Sequence, residues 1–238
     1  MQPLTLAVPR GALFAETVAL LDRLGLDTTE IRENDRKLLF DSAGSLRAPS
    51  GAREPGPAVE VITMRPSDVP TYVEAGAADL GVTGKDVLLE QAGRGDGSGG
   101  RDVYELLDLR YGACTLVLAT TDAVNADGEH AAAEALRRLG VMRVATKYPR
   151  TALRHFEETG RQAEIVEVKG SVELAPLTGL AEAIVDLTAT GTTLRENGLV
   201  VREEIVRCTA RLIANPVAHK LKARSIDYLH ELARGGVT

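Results

Sequence analysis

The segment that decides the fold is Ala183-Ile-Val-Asp-Leu-Thr-Ala-Thr-Gly-Thr-Thr-Leu194. It predicts a buried strand that ends at Asp186, a turn of small hydroxyl residues around Gly191, and a helix that begins near Thr193. Backbone N–H groups in such a turn point inward at a helix N-terminus, whose dipole favours negative charge. A phosphate monoester fits this turn, and an ionised carboxylate at Asp186 suits sugar hydroxyls. The pattern therefore indicates a ribose 5-phosphate site, with an ordinary Thr-capped junction as the alternative.

Working outward from this segment, strands and helices alternate along the chain. We predict strands at Leu4–Val8, Asp79–Thr83, Leu116–Thr120, Arg143–Thr146, Glu164–Val168 and Ala183–Asp186, and an extended segment at Ile205–Ala214. We predict helices at Leu13–Leu24, Ser67–Ala75, Lys85–Gln91, Glu129–Leu139, Thr151–Glu158, Ser171–Leu177 and Pro216–Ala233. This alternation is typical of an α/β fold with a parallel sheet. Two segments rich in Gly, Pro or Ser, Ser42–Pro57 and Gly93–Gly100, are predicted to be surface loops.

The composition narrows the classes of function. The 238 residues carry a formal net charge of −6 and are 44% hydrophobic, which suits one large globular domain or two small ones. The acidic balance argues against nucleic-acid binding. No apolar run could span a membrane and the N-terminus does not resemble a signal peptide, so we expect a cytoplasmic protein. Cys114 and Cys208 form no Cys-x-x-Cys motif and the four His residues are scattered, so we expect neither zinc nor redox chemistry.

Further polar segments lie at the ends of predicted strands, where α/β folds bind their ligands. They are Val8-Pro-Arg-Gly-Ala-Leu13, Met64-Arg-Pro-Ser-Asp-Val-Pro70, Gly81-Val-Thr-Gly-Lys-Asp86, Ala145-Thr-Lys-Tyr-Pro-Arg150 and Gly170-Ser-Val-Glu-Leu174. Each also has a plainer interpretation: a solvated Arg10, helix caps at Ser67 and Ser171, or a helix-dipole contact of Glu173. Taken together, cationic and amide-rich junctions from both halves of the chain predict one cleft that binds a polyanion.

In this order, the segments Arg65–Asp86, Val144–Pro149, Gly170–Leu174 and Ala183–Leu194 resemble those of the ATP phosphoribosyltransferase family. The similarity runs from Leu4 to about Leu232. It implies a two-lobed α/β fold like that of type II periplasmic binding proteins, with the active site in the interlobe cleft. Lobe I would comprise residues 1–103 plus 209–238, and lobe II, residues 104–208, would carry the loop for phosphoribosyl pyrophosphate (PRPP).

The resemblance also implies an activity: transfer of phosphoribose from PRPP to N1 of ATP, which gives N1-(5-phosphoribosyl)-ATP and pyrophosphate in the first step of histidine biosynthesis. It implies Asp186 and Glu173 as catalytic residues. The PRPP-binding candidates are Asp186, Ala189, Thr190, Gly191, Thr192 and Thr193, and the ATP-binding candidates are Arg10, Gly11, Arg65, Ser67, Asp68, Gly84 and Lys147. Mg²⁺ is the expected cofactor, held mainly by substrate oxygens rather than by a protein cage.

The chain resembles the short form of the family. This resemblance implies a separate regulatory subunit related to histidyl-tRNA synthetase. We therefore expect a homodimer within a hetero-oligomer. The chain departs from the family's Pro-Lys-Gly-Arg-Leu at Pro9-Arg-Gly-Ala-Leu13, where Arg10 keeps the first cation and Ala12 replaces the second. Two other classes share parts of the pattern. Solute-binding proteins share the fold but not the phosphate loop, and nucleobase-salvage phosphoribosyltransferases place two acidic residues before that loop, whereas Val185 precedes Asp186 here.

Overall fold

The computed structural model describes residues 1–41, 43–48, 56–92, 102–121 and 141–236. The predicted helix Glu129–Leu139 and the predicted loop Gly93–Gly100 lie outside the described residues, as do Ser42 and residues 49–55 of the other predicted loop.

The strands are β1 (Leu4–Pro9), β2 (Leu39–Phe40), β3 (Val59–Met64), β4 (Leu80–Gly84), β5 (Tyr104–Asp108), β6 (Cys114–Thr121), β7 (Met142–Thr146), β8 (Ala163–Glu167), β9 (Ala183–Thr188), β10 (Leu199–Cys208) and β11 (Ala210–Ala214). The helices are α1 (Phe14–Arg23), α2 (Thr29–Glu33), α3 (Val69–Glu74), α4 (Lys85–Gln91), α5 (Pro149–Glu158), α6 (Leu174–Leu177), α7 (Thr192–Glu196), α8 (Pro216–Leu221) and α9 (Ala223–Gly236).

The chain forms two compact units, Met1–Gly112 with Thr209–Thr238, and Ala113–Cys208. The expected first boundary, 103/104, would have placed β5 in the second lobe. In the structure β5 pairs with β11 and so belongs to the sheet of the first unit. The chain passes from one unit to the other after Gly112 and returns after Cys208.

The first unit contains a sheet in the order β2-β3-β1-β4-β11-β5. β1 pairs in parallel with β3 on one side and β4 on the other, so the carboxyl ends of these three strands meet at one edge. Leu4, Leu6 and Val8 of β1 belong to one core with residues of α1 and of α9, among them Val18 and Ile226. This core joins the two ends of the chain in a single unit.

The second unit contains a sheet in the order β10-β6-β9-β7-β8. β9 lies at its centre, parallel to β7 and antiparallel to β6. Because successive side chains of a strand point to opposite faces, Ile184 and Val185 pack into different cores. Ile184 joins Val172 and Leu194, whereas Val185 joins Phe156 and residues of β6.

The sheets differ from the expected parallel arrangement because both are mixed. β11 runs antiparallel to β4 and β5, and β6 runs antiparallel to β9 and β10. Strand β3 was missing from the sequence prediction, although its alternating buried and half-buried residues give it the period of a strand with one face in the core.

Three predicted helix boundaries need correction. Helix α3 begins at Val69 with Asp68, not Ser67, at its cap position, and α6 begins at Leu174 with Glu173, not Ser171, at its cap. The predicted helix Pro216–Ala233 is two helices, α8 and α9, which are interrupted at Lys222. At this break the Nζ of Lys222 forms an ion pair with the buried Asp79, 2.7 Å from its Oδ2.

Candidate functional site

The second unit positions Asp186 near the end of its central strand. Asp186 is 7% exposed, and its Oδ1 accepts a hydrogen bond from the N–H of Leu187 at 2.8 Å. The Nζ of Lys147, just past the end of the neighbouring strand β7, lies 3.7 Å from its Oδ2. By the two-residue period, Asp186 lies on the same face of the sheet as Ile184, whose neighbours Val172 and Leu194 belong to the predicted site segments.

Burial dominates the electrostatics of Asp186 and raises the pKa of its carboxyl above the ordinary value. The N–H of Leu187 and the charge of Lys147 oppose this rise, whereas the charge of Glu173 adds to it. Asp186, Glu173 and Lys147 therefore form one electrostatic cluster. It provides a buried acceptor for hydroxyl groups, with a second carboxylate and an ammonium group in electrostatic range.

The predicted phosphate loop follows the same strand. Gly191 adopts φ = +72° immediately before α7, a left-handed conformation that favours glycine. Its N–H donates to the hydroxyl of Thr188 at 2.8 Å, which closes the turn. The hydroxyls of Thr190 and Thr192 lie 2.9 Å apart, and both residues are exposed. The turn thus presents small hydroxyl side chains and the first N–H groups of a helix to solvent.

Arg195 of α7 contacts this loop and was not among the candidates predicted from the sequence. Its guanidinium donates to the carbonyl oxygen of Thr190 at 3.0 Å and to the hydroxyl of Thr192 at 3.1 Å. A methyl group added at Gly191 would lie 3.0 Å from the Nη1 of Arg195. The three-residue spacing from Thr192 to Arg195 on a helix was the available signal. This contact adds a positive charge to the loop and holds its conformation.

In the first unit, the guanidinium of Arg10 contacts protein oxygens. It donates to Asp35 Oδ1 at 3.0 Å and to the carbonyl oxygen of Asn34 at 3.0 Å, and it lies over the ring of Phe14. The neighbouring Gly11 has φ = +87°. Within the described residues, the buried Nε of Arg10 has no hydrogen-bond partner. Arg10 therefore ties the segment after α2 to the carboxyl end of β1.

The other first-unit candidates gather at the carboxyl ends of β3 and β4. The Thr83 hydroxyl donates to the carbonyl oxygen of Pro66 at 3.0 Å, which connects the two strand ends. The Ser67 hydroxyl donates to Asp68 Oδ1 at 3.2 Å, and both side chains are exposed, as is Arg65. Gly84 precedes α4 in an extended conformation. Because β1 lies between β3 and β4, Arg10, Arg65 and Gly84 lie at the carboxyl ends of three adjacent parallel strands.

Lys147 is the one ATP-binding candidate that lies in the second unit. The sequence grouped it with the ATP-binding residues, but it lies beside Asp186 in the second unit. Among the residues that the structure describes, no group of three or more His, Cys, Asp or Glu side chains could hold a metal ion. In the same residues no helix is long and apolar enough to cross a membrane.

Comparisons with known proteins agree on one family. The family model described as ATP phosphoribosyltransferase matches residues 65–235. A curated ATP phosphoribosyltransferase of Rubrobacter xylanophilus is 50% identical over 226 residues, which cover 95% of this chain and 93% of the relative. One from Anoxybacillus flavithermus is 45% identical over 94% of this chain and 91% of the relative.

Solved structures with the same fold include the ATP phosphoribosyl transferase (HisG:HisZ) complex from Thermotoga maritima. The likeness has a TM-score of 0.69 at 28% identity and covers 98% of both chains. The BvgS VFT2 domain of Bordetella pertussis has a TM-score of 0.52 at 14% identity, over 97% of this chain and 91% of that one, which is a likeness of fold alone. The match of the family model and the identity to full-length relatives show that the chain belongs to the ATP phosphoribosyltransferase family.

Proposed function

We propose that this chain transfers phosphoribose from PRPP to N1 of ATP, forming N1-(5-phosphoribosyl)-ATP and pyrophosphate in the first step of histidine biosynthesis. The observation that carries the proposal is the pairing of the buried Asp186 with the Gly191 turn on one strand–loop–helix unit, in a chain of this family. A sugar with a terminal phosphate needs both parts, an acceptor for its hydroxyls and a cradle of donors for its phosphate.

For PRPP, we assign the 5-phosphate to the turn and the ribose to the carboxylate. The turn would bind phosphate oxygens through hydroxyl and backbone donors of Ala189, Thr190, Gly191, Thr192 and Thr193. Asp186 would accept hydrogen bonds from ribose hydroxyls, because an ionised carboxylate is only an acceptor. Arg195 braces this turn through Thr190 and Thr192, so it holds the donors in place.

For the chemical step, we assign charge stabilisation to the two carboxylates. Loss of pyrophosphate develops positive charge on the ribose ring, and Asp186 and Glu173 would stabilise it. Adenine N1 is a neutral nucleophile, so alignment contributes more to the rate than a strong base. Lys147, 3.7 Å from Asp186, opposes the rise in the pKa of that carboxyl and so favours its ionised form at neutral pH.

Phosphoribosyl transfer generally uses a divalent metal, and we propose Mg²⁺. The donor set fits a metal held mainly by substrate, because Mg²⁺ keeps several waters and is bound by one or two carboxylates together with substrate phosphate oxygens. Asp186 and Glu173 are the residues that would contact it or its waters. When bound, the metal supplies positive charge that neutralises the leaving pyrophosphate.

For ATP, we assign the first-unit residues Arg10, Gly11, Arg65, Ser67, Asp68 and Gly84. The hydrogen bonds of Arg10 and the exposure of Arg65 suggest different roles for these two residues. Arg10 is committed to Asp35 and Asn34, so we propose that it positions the strand end. The exposed Arg65 supplies the charge for the triphosphate. We move Lys147 from this group to the Asp186 cluster.

We further propose a regulatory subunit related to histidyl-tRNA synthetase and a homodimer of this chain within a hetero-oligomer. The likeness to the Thermotoga maritima HisG:HisZ complex supports a separate partner chain. ATP and PRPP are metabolites of the cytoplasm, and we place the protein there.

The test is an ultraviolet absorbance assay for the phosphoribosyl-ATP adduct, with PRPP, ATP and Mg²⁺, with and without the regulatory subunit. We expect the adduct to form from ATP, and no product from PRPP with free adenine or guanine. Product from a free base would instead identify a salvage enzyme. Tight binding of PRPP with no turnover in either condition would identify a binding protein.

A further inference from the structure

The two cysteines lie directly opposite each other on neighbouring antiparallel strands. Cys114 begins β6, Cys208 ends β10, and the register of the two strands pairs them. Both side chains are thiols, and they are the only cysteines in the sequence. They also lie next to the two points where the chain enters and leaves the second unit. No redox chemistry was expected from the sequence, because these residues are far apart in the chain and their pairing depends on the register of β6 with β10.

The geometry of an antiparallel pair suits a disulfide. Directly opposite residues point to the same face, with Cα atoms about 4.5 Å or about 5.5 Å apart, depending on the type of pair. Disulfides span Cα separations of about 4.4–6.8 Å, so either type lies within the range. The bond therefore needs adjustment of side chains rather than movement of a strand.

Contacts within the first unit hold the two adjoining chain segments side by side. Asp108 Oδ1 accepts hydrogen bonds from the N–H of Arg110 at 2.9 Å and from the hydroxyl of Thr209 at 2.8 Å. The N–H of Ala210 donates to the carbonyl oxygen of Tyr111 at 2.9 Å. The bonds of Thr209 and Ala210 join the outgoing segment to the returning one just outside the cysteine pair.

The two thiols differ in solvent exposure, so they differ in their access to an oxidant. Cys114 is half-buried, so a small oxidant reaches it, whereas Cys208 is 1% exposed and faces it across the ladder. We propose that Cys114 and Cys208 form a modification site at which a hydroperoxide produces an intramolecular disulfide. This proposal rests on the fold and does not depend on the proposed function.

The chemistry has two steps. The Cys114 thiolate attacks one oxygen of hydrogen peroxide, so that an S–O bond forms, the O–O bond breaks and hydroxide leaves. The Cys208 thiolate then attacks the sulfur of this sulfenic acid, forms the S–S bond, breaks the S–O bond and displaces a second hydroxide. The two protons released when the thiols ionise convert both hydroxides to water. Overall, two thiols and one peroxide give one disulfide and two waters. A dithiol such as dithiothreitol reverses the change by exchange.

The test treats the full chain with stoichiometric hydrogen peroxide under native conditions, then denatures it in N-ethylmaleimide and measures its mass. We expect the mass to fall by the two lost hydrogen atoms, with no maleimide added and complete reversal by dithiothreitol. A non-reduced digest should contain one cross-linked peptide with both cysteines. Because the wild-type chain has only these two thiols, this result does not depend on the folding of any variant.

Matched variants test the order of attack. Cys208→Ser should leave Cys114 oxidised to sulfenic acid or beyond, whereas Cys114→Ser should leave the buried Cys208 a thiol. The cross-link should raise the melting temperature of the wild-type protein, on the order of 5 °C, because it constrains the unfolded chain. Three results would overturn the proposal: maleimide on both thiols after peroxide, a disulfide between two copies, or a lower melting temperature in the oxidised form.

Discussion

Replacing Lys147 with Gln removes the cation beside Asp186 and keeps a side chain of similar size. Two unit charges at the observed 3.7 Å attract by about 4–5 kcal/mol at an effective dielectric constant of about 20. The Lys147 side chain is 39% exposed, so water screens this attraction and leaves about 1 kcal/mol. Because Lys147 lowers the pKa of Asp186, its loss makes the carboxylate protonate at higher pH. We expect the acidic limb of the pH profile to move to higher pH.

The assay is kcat/KM for PRPP, measured by adduct absorbance from pH 5 to 9 at saturating ATP. The matched control is Lys220→Gln, which changes an exposed lysine in the other unit and should leave the limb in place. High salt should shrink the difference between Lys147→Gln and the wild-type protein, because the pair is partly exposed. A Lys147→Gln profile that falls in height without moving its acidic limb would refute the proposed coupling to Asp186.

Three further substitutions test the loop, the carboxylate and the first unit. Asp186→Asn should lower kcat/KM about 10²–10³-fold without lowering the melting temperature. Burial raises the pKa of the Asp186 carboxyl, so its contribution to stability falls as pH rises from the unfolded to the folded pKa, and a neutral amide avoids that cost. Near-normal turnover would contradict the catalytic role. Gly191→Ala should weaken PRPP binding more than ATP binding by calorimetry, since the left-handed backbone costs about 1–2 kcal/mol and the new methyl group crowds Arg195; equal losses would contradict the loop assignment. Asp79→Ala should cost roughly 2–3 kcal/mol in urea unfolding, because it leaves the amine of Lys222 and the N–H of Thr5 without this carboxylate. Adding Lys222→Met to Asp79→Ala should cost little more, and full additivity would argue against the pair.

Most secondary-structure elements could be predicted because their apolar residues follow a local period. Leu4–Val8 and Lys85–Gln91 were located almost to the residue, since a buried run and a glycine boundary mark them. The interruption at Lys222 could not be predicted, because the apolar spacing continues through it and a contact with Asp79 decides the break. The membership of β5 in the first unit likewise depends on its pairing with the distant β11.

Only part of the candidate site could be predicted, because some of its residues are close in sequence and others meet only in the folded chain. Asp186 and Gly191 are five residues apart, so the local sequence predicted both the strand end and the turn that follows it. In the structure, Gly191 has the positive φ that this turn requires. Arg195 was missed because its contact with the turn appears only when α7 forms. Lys147 was assigned to ATP because its charge suits any phosphate, and only the neighbouring positions of β7 and β9 show that it lies beside Asp186.

The amino-acid sequence by itself determined the family of this protein, the alternation of strands and helices, and the strand–turn–helix that carries Asp186. These features depend on residues within a few positions of one another, where side-chain period and glycine conformation act directly. Only the tertiary structure decided the strand order, the raised pKa of Asp186 and the pairing of Cys114 with Cys208. Burial and strand register depend on contacts between distant segments, which the local pattern of a chain does not specify.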